Sequence, residues 1–528
     1  MTSTEISLSI PSAGQARPHP GLLRRVAAYG LSRGTTEILV VLRSVLLAAL
    51  LGPAAFGSWA LLRMGMRYSG LAGLGVFRGL EVELLHADAK GIARRQDSPA
   101  ATALGFILLV GGGLSALAIA ASFVVPDTQY RLLLRGFAVA SLAELIYGYA
   151  MVCIRVRSGL RHFAVLETGT AAFHILLAVG LARIWGLAGA FAGLTAGNLI
   201  GIAVAARWVS LRPALALEPL RRLLHVGLPV ALTSCVGILL VTSDRWVVAF
   251  WGGPTMLGYY ALGASVTSGA AALALVIRQV VFREVYGETF SAGAATALRA
   301  HLERALLPFA RLLPPVLGAL GLLAGPVVAR VLPGYTAAIA PARLFVLAGA
   351  AIGLVNLAAV GAVAAGQQRR LPMYAGGALA LTTVLSVLAL LGGAGLEGVA
   401  AAALAGHLSY AAAVLRLIVK ESGTPQADRF VLSTLLPLVW CAVAVAVAGR
   451  LIVDYTIASA VLGLGVYVLL LLPLGAGWRT EWRRLRHQGI DIPTSRVVIW
   501  TLMPIMPRLA CCCTTEPPRI EGETAATR

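Results

Sequence analysis

Apolar residues run through this chain in long unbroken blocks rather than in the alternating pattern of half-buried strands. The blocks span residues 28–51, 54–85, 101–125, 132–155, 162–184, 186–209, 226–250, 256–284, 306–332, 341–366, 372–393, 396–420, 430–452 and 456–477. Each is long enough to cross the hydrocarbon core of a bilayer as a helix, which takes about 20 residues. Charge clusters or Gly/Pro turns separate them. The pattern predicts an all-α polytopic membrane protein of about 14 transmembrane helices and excludes an alternating β-barrel.

Composition agrees with this. Of 528 residues 58% are hydrophobic and 12% charged, and the mean hydropathy is +0.84. Soluble domains carry about 25% charged residues, so too little polar surface exists to cover a water-soluble globule. The net charge of +20 would suggest nucleic acid in a soluble chain; here it marks loops and meets anionic lipid. No separate nucleic-acid domain is left over. Cys153, Cys235 and Cys441 fall inside apolar blocks and Cys511, Cys512 and Cys513 are consecutive, which is neither a disulfide framework nor zinc spacing. No cofactor or metal is expected. The first apolar block carries Arg33, Glu37 and Arg43, unlike a cleavable signal, so it is expected to stay in the mature protein.

Alternate connections hold the cations: Arg24 and Arg25, then Lys90, Arg94 and Arg95, then Arg155, Arg157 and Arg161, then Arg207, Arg212, Arg221 and Arg222. The alternation continues through Arg283, Arg299 and Arg304, through Arg369 and Arg370, through Arg416, Lys420 and Arg429, and ends at Arg479, Arg483, Arg484 and Arg486. The positive-inside rule therefore places both termini in the cytoplasm of a multi-pass membrane protein. The basic tail from residue 479 either lies on the inner leaflet through the apolar stretch Val497 to Met506 or is disordered.

Two sequence matches expose an internal repeat. LGPAAFGSWALL at residues 51–62 matches GGPTMLGYYALG at 252–263, aligning Gly52, Pro53, Gly57, Ala60 and Leu61 with Gly253, Pro254, Gly258, Ala261 and Leu262. GLAGAFAGLTAGNL from Gly186 matches GLEGVAAAALAGHL from Gly395. The offsets are 201 and 209 residues, so one unit is six helices. Six is even, and the copies enter the membrane the same way, related by a pseudo-twofold axis along the membrane normal. The expected organisation is a cytoplasmic segment 1–25, an N-lobe 26–210, a C-lobe 220–420, an added helix pair 430–478 and a cytoplasmic tail 479–528. Two such lobes around a central cavity suit alternating access.

Several charges fall at membrane depth. Counting 1.5 Å per residue from the Gly52–Pro53 turn, Arg43 and Arg63 lie at one level, and Glu37 and Arg67 at another near the centre. Arg33 and Glu37 share a face of one helix, and Arg63 and Arg67 a face of the next. An ion there costs about 2.5 to 3.5 kcal/mol, so the group needs a wet or paired setting. Arginines outnumber acids, which predicts an anionic ligand, and guanidinium forks match phosphate oxygens. The alternative is a structural ion pair with snorkelling Arg. Arg78 and Arg278, nearer the cytoplasmic side, either meet an incoming headgroup or snorkel. Glu144, Glu167, His174, Asp244 and Arg245 are further ionisable groups in apolar surroundings. Glu37, Glu144, Asp244 and Arg245 are candidates for ion coupling or salt bridges, Asp244 most simply by pairing with an Arg, and His174 is either a satisfied core histidine or a functional one.

LLGPAAFGSWALL from Leu50, TSDRWVVAFWGGPTMLGYYALG from Thr242 and LLAGPVVARVLPGYTAA from Leu322 resemble the Wzx-type polysaccharide flippases of the multidrug/oligosaccharidyl-lipid/polysaccharide exporter superfamily. The resemblance implies two six-helix lobes, often with an added helix pair. It also implies flipping of an undecaprenyl-diphosphate-linked oligosaccharide to the outer leaflet for exopolysaccharide, capsule or O-antigen (lipopolysaccharide) assembly, with proton or sodium antiport. A polysaccharide polymerase and chain-length proteins are the implied partners beside membrane lipid. In that reading Arg33, Arg43, Arg63, Arg67, Arg78 and Arg278 bind the diphosphate. Two rivals stay open: a multidrug or cation antiporter of the same superfamily, which would want acidic, aromatic cavities, and a membrane enzyme of polysaccharide assembly. The chain has no D-x-D, H-E-x-x-H or Walker A sequence, so a transporter is expected rather than an enzyme.

Overall fold

A straight helix of 76 residues would be about 114 Å long at 1.5 Å per residue, several times the hydrocarbon core, yet the structure contains one such continuous helical run. The computed structural model describes residues 20–89, 98–424, 426–452 and 454–475. In chain order the helices are α1 (Pro20–Ala72), α2 (Val76–Ala89), α3 (Ser98–Val124), α4 (Thr128–Arg157), α5 (Leu160–Ala205), α6 (Leu217–Ala292) and α7 (Ala294–His301). They continue with α8 (Leu307–Val331), α9 (Ile339–Ala364), α10 (Leu371–Leu391), α11 (Gly395–Glu421), α12 (Ala427–Arg450) and α13 (Ile457–Leu471). No strand occurs among the described residues. Eleven of the described helical segments are long and apolar enough to cross a membrane.

The three longest runs, α1, α5 and α6, each contain one glycine outside helical geometry. Gly52 (φ 73°, ψ 171°) and Gly253 (φ 69°, ψ −172°) have nearly the same conformation. Both are followed by a proline, whose fixed φ suits the first position of a new helix. Gly186 (φ 57°, ψ −133°) bends α5. Only glycine adopts these positive φ values at little cost. The two arms of α5 lie antiparallel: Gly189 faces Leu181, Gly193 faces Ala178, Gly197 faces His174 and Gly201 faces Thr170. A Cβ at Gly189 would stand 2.0 Å from the Leu181 carbonyl oxygen, and one at Gly193 2.4 Å from the Ala178 Cα. Glycine at every fourth position thus lets the arms touch backbone to backbone. In the second copy of the repeat the matching hairpin is α10 with α11, where Gly398 faces Ala389 and Gly406 faces Thr382.

The bends of α1 and α6 meet reciprocally. A Cβ on Gly57 would fall 1.7 Å from the Pro254 carbonyl oxygen, and one on Gly258 2.0 Å from that of Pro53. These are the residues that the repeat aligns. Tyr335, in the 3-10 turn Pro333–Ala338 just before α9, donates to the Ala48 carbonyl at 3.0 Å and packs edge-on against Phe56 and Tyr259, so both copies contribute to one aromatic cluster at this end.

One expectation needs correction. The apolar block 54–85 reads as a single helix, but the chain breaks between α1 and α2, with Leu74 at φ 47° and Gly75 at φ 79°. The break lets α2 approach α6: a Cβ on Gly75 would stand 2.0 Å from the Gly227 carbonyl oxygen and one on Gly227 2.1 Å from that of Gly75. The residues 1–19, the loop with Lys90, Arg94 and Arg95, and the tail 476–528 with Cys511 to Cys513 lie outside the described residues.

Introducing a methyl at either inter-repeat contact forces main chains apart. Gly57→Ala and Gly258→Ala are each expected to cost about 1–3 kcal/mol, read as a lowered Tm in detergent. Gly113→Ala on α3, where a Cβ meets nothing within 4 Å, should leave Tm unchanged or raise it.

Candidate functional site

The bend at Gly52 folds α1 so that its charged positions approach one another. Arg43 is 6% exposed and its guanidinium carbon lies 6.0 Å from the centre of the Trp59 ring on the opposing arm, a cation–π arrangement. Trp59 in turn stacks on Phe191 of α5, with ring centres 5.8 Å apart. Arg63 makes a 2.9 Å ion pair with Glu144 of α4. The charges of Arg63 and Glu144 both act on Arg43, and those of Arg245, Arg63, Glu144 and Glu37 all act on Arg67. The depth counted along the two arms therefore corresponds to proximity in space, and Arg245 from the second copy joins the group.

Four guanidinium groups and two carboxylates make up this cluster. Among the described residues Arg67 and Arg245 have no hydrogen-bonded or ion-paired acceptor for their side chains, and the Nε atoms of Arg43 and Arg245 are buried without one. With Arg63 and Glu144 closely paired, four guanidinium groups against two carboxylates leave positive charge in excess. Of the four, only Arg43 is buried; Arg63 and Arg245 are half-buried and Arg67 is exposed, so the cluster opens to its surroundings rather than being sealed in the protein.

Two histidines border the cluster. His174 shares a 3.0 Å hydrogen bond with Asn198, inside the α5 hairpin, and feels the charges of Arg43 and Arg63. His407 of α11 is buried and feels Arg245. The repeat aligns Asn198 with His407, so the two copies present different polar groups at one position. Sequence reasoning missed Asn198 and His407; the GLAGAFAGLTAGNL match, read column by column, carried the signal.

Asp244 differs from its expectation. It is 3% exposed, and its carboxylate accepts from the Tyr260 hydroxyl at 2.7 Å and from the Arg245 backbone amide at 2.8 Å, rather than from an arginine side chain. The Asp244–Tyr260 contact stands 201 residues after Arg43–Trp59 at both positions. One backbone register thus carries a cation on an indole in the first copy and a carboxylate on a phenol in the second. Nearby, the Tyr68 hydroxyl accepts from Trp246 Nε1 at 2.9 Å and hydrogen-bonds with Thr242 Oγ1, tying the second arm of α1 to the first arm of α6.

Arg78 stands apart from this group. It pairs at 2.6 Å with Glu81, which also holds Arg155 at 2.8 Å, while Arg222 bridges Glu83 and Glu218. Glu81 and Glu83 of α2, with Glu218 of α6, balance those three cations locally. The side chains of Arg33 and Arg278 lie outside the described residues. Among the described residues no group of His, Cys, Asp and Glu is placed to hold a metal ion.

No family model and no curated protein matches the chain. Solved structures do. A lipid II flippase MurJ in an inward closed conformation superposes with a TM-score of 0.64 over 86% of this chain and 99% of its own, at 13% identity. An inward-facing multidrug resistance MATE family transporter of the MOP superfamily gives 0.61, covering 80% and 98% at 15% identity. A Vibrio cholerae MATE transporter gives 0.53, covering 77% and 98% at 17% identity. The chain shares its fold with these proteins. The all-helical architecture expected from the apolar blocks and from the flippase resemblance is the one observed.

Removing the Tyr260 hydroxyl leaves the Asp244 carboxylate with backbone donors only. Tyr260→Phe is expected to cost about 1–3 kcal/mol, measured by thermal unfolding in detergent. Replacing both groups together, Tyr260→Phe with Asp244→Leu, should recover part of that loss, because no charge then stays buried.

Proposed function

We propose that this protein is a flippase. It moves an undecaprenyl-diphosphate-linked oligosaccharide repeat unit from the inner to the outer leaflet of a bacterial inner membrane by alternating access. The observation that carries the reading is the excess of guanidinium over carboxylate where the two repeat copies meet, in Arg43, Arg63, Arg67 and Arg245 against Glu37 and Glu144. A diphosphate supplies the missing negative charge, and planar forks bind its oxygens in pairs. Arg33, Arg78 and Arg278 complete the set proposed to meet the headgroup, Arg78 by exchanging Glu81 for it. Glu37, Glu144, Asp244 and Arg245 are the groups proposed for ion coupling or salt bridging.

The fold shared with a lipid II flippase supports a lipid-linked substrate. Counting the bent helices α1, α5 and α6 as two passes each would give the fourteen crossings expected, with an N-lobe 26–210, a C-lobe 220–420 and an added pair 430–478. Both termini would then be cytoplasmic. An inside-negative potential favours outward movement of the diphosphate by about 2.3 kcal/mol per charge per 100 mV, so exchange with an ion assists the step without being strictly required. The proposed partners are a polysaccharide polymerase and chain-length proteins. A multidrug or cation antiporter would be lined mainly by acids, whereas here guanidinium groups outnumber them, and Asp244, the one fully buried acid among the described residues, is held by Tyr260.

In cells lacking the chain, the lipid-linked intermediate should accumulate on the inner leaflet. Arg43→Ala, Arg63→Ala or Arg67→Ala should lower export by about ten- to a hundredfold at unchanged membrane levels, the loss of a hydrogen bond to a charged group. Arg67→Lys should retain more export than Arg67→Ala. Full polymer production by all three alanine variants, or drug sensitivity without lipid accumulation, would overturn the reading.

A further inference from the structure

A second enclosed guanidinium lies in the other half of the molecule. Arg343 near the start of α9 is 7% exposed. Its Nη1 donates to the Gly449 carbonyl at 2.9 Å, capping the last turn of α12, whereas Nε and Nη2 are buried with no acceptor. Two glycines make room for the group: a Cβ on Gly449 would stand 2.6 Å from Nη1 and one on Gly325 of α8 3.2 Å from Nη2. The same Gly325 position faces the Tyr455 ring at 3.5 Å, and Tyr455 itself sits at φ 49°, a conformation that a bulky residue adopts only under constraint.

Beside Arg343 is a cavity of about 160 Å³, lined also by Glu397, Arg450 and Tyr455, far more than a single water requires. Arg343 and Glu397 influence one another electrostatically but form no ion pair within 4 Å among the described residues. The lining carries two cations and one acid, and the buried cation keeps unused donors. From this we infer that the cavity is a binding site for a small oxyanion, of the size and charge of inorganic phosphate, held by Arg343 and Arg450 and bordered by the Tyr455 hydroxyl. A bound oxyanion would join the start of α9 to the end of α12, and so fasten the added helix pair to the second repeat copy. The inference is independent of the substrate proposed for the central cluster.

The test uses the full chain purified in detergent, with Tm followed against inorganic phosphate at constant ionic strength in chloride. A saturable rise of a few degrees is expected for the wild type. Arg450→Gln, at an exposed position, should weaken apparent phosphate affinity by about tenfold or more, a loss of roughly 1.4 kcal/mol. Arg343→Lys should abolish the response. Glu397→Gln should tighten binding several-fold by removing the only acid in the lining. Arg183→Gln, at an exposed arginine of α5 that belongs to neither site, should leave the phosphate response intact, which separates the cavity from a general loss of positive charge. The inference falls if the wild-type Tm does not respond to phosphate, meaning that the cavity holds water only. It falls equally if Arg450→Gln responds like the wild type, or if Arg183→Gln weakens the response as much as Arg450→Gln does.

Discussion

Charge that the protein does not neutralise, gathered where two long bent helices meet, is the constraint around which this structure is arranged. One ion near a bilayer centre costs about 2.5 to 3.5 kcal/mol, and here four guanidinium groups share two carboxylates. Such a group persists only if it is wet, stacked on aromatic rings or waiting for an anion. The protein uses the second device at Arg43, whose guanidinium lies over Trp59, and an ion pair at Arg63. Arg67 and Arg245 are left to the other two. The bends at Gly52 and Gly253 make the cluster possible, because a straight α1 or α6 would carry these charges far apart along its length.

The repeat shows how one backbone supports unlike chemistry in its two copies. Gly52 and Gly253 have matching dihedral angles, and Gly57 and Gly258 press on each other's proline turns. Ten residues before each turn, however, stands Arg43 in one copy and Asp244 in the other. The first faces an indole and the second a phenol that can donate. Each aromatic partner matches its charge: an indole face attracts a cation, and a phenol O–H satisfies a carboxylate. The asymmetry is therefore chemical rather than architectural.

Glycine recurs wherever helices must touch. It spaces the α5 hairpin, the α10–α11 hairpin, the inter-repeat contact and the α2–α6 approach. In lipid there is little hydrophobic gain in bringing helices together, so close van der Waals packing takes its place. Larger side chains at these positions would hold the arms apart and enlarge the distances across which the arginines now interact. The break at Leu74 and Gly75 belongs to the same logic, since an unbroken helix would keep Gly75 and Gly227 from meeting.

The sequence by itself determined the helical class, because runs of apolar residues can satisfy their backbone in lipid in no other way here. It determined the bends at Gly52, Gly186 and Gly253, where positive φ or a following proline is a local property. It also determined the shared depth of Arg43 with Arg63 and of Glu37 with Arg67, since helical rise fixes depth along antiparallel arms. Which groups then pair was decided only by tertiary structure. Glu144 reaches Arg63 from α4, Arg245 joins Arg67 from the other repeat copy, and Glu81 takes Arg78 away from the group. Those choices depend on helix rotation and crossing, which side-chain packing between distant segments sets and no single window of sequence encodes. Asp244 illustrates the difference: its neighbour in sequence is Arg245, but rotation of α6 turns its carboxylate to the Tyr260 hydroxyl across the bend.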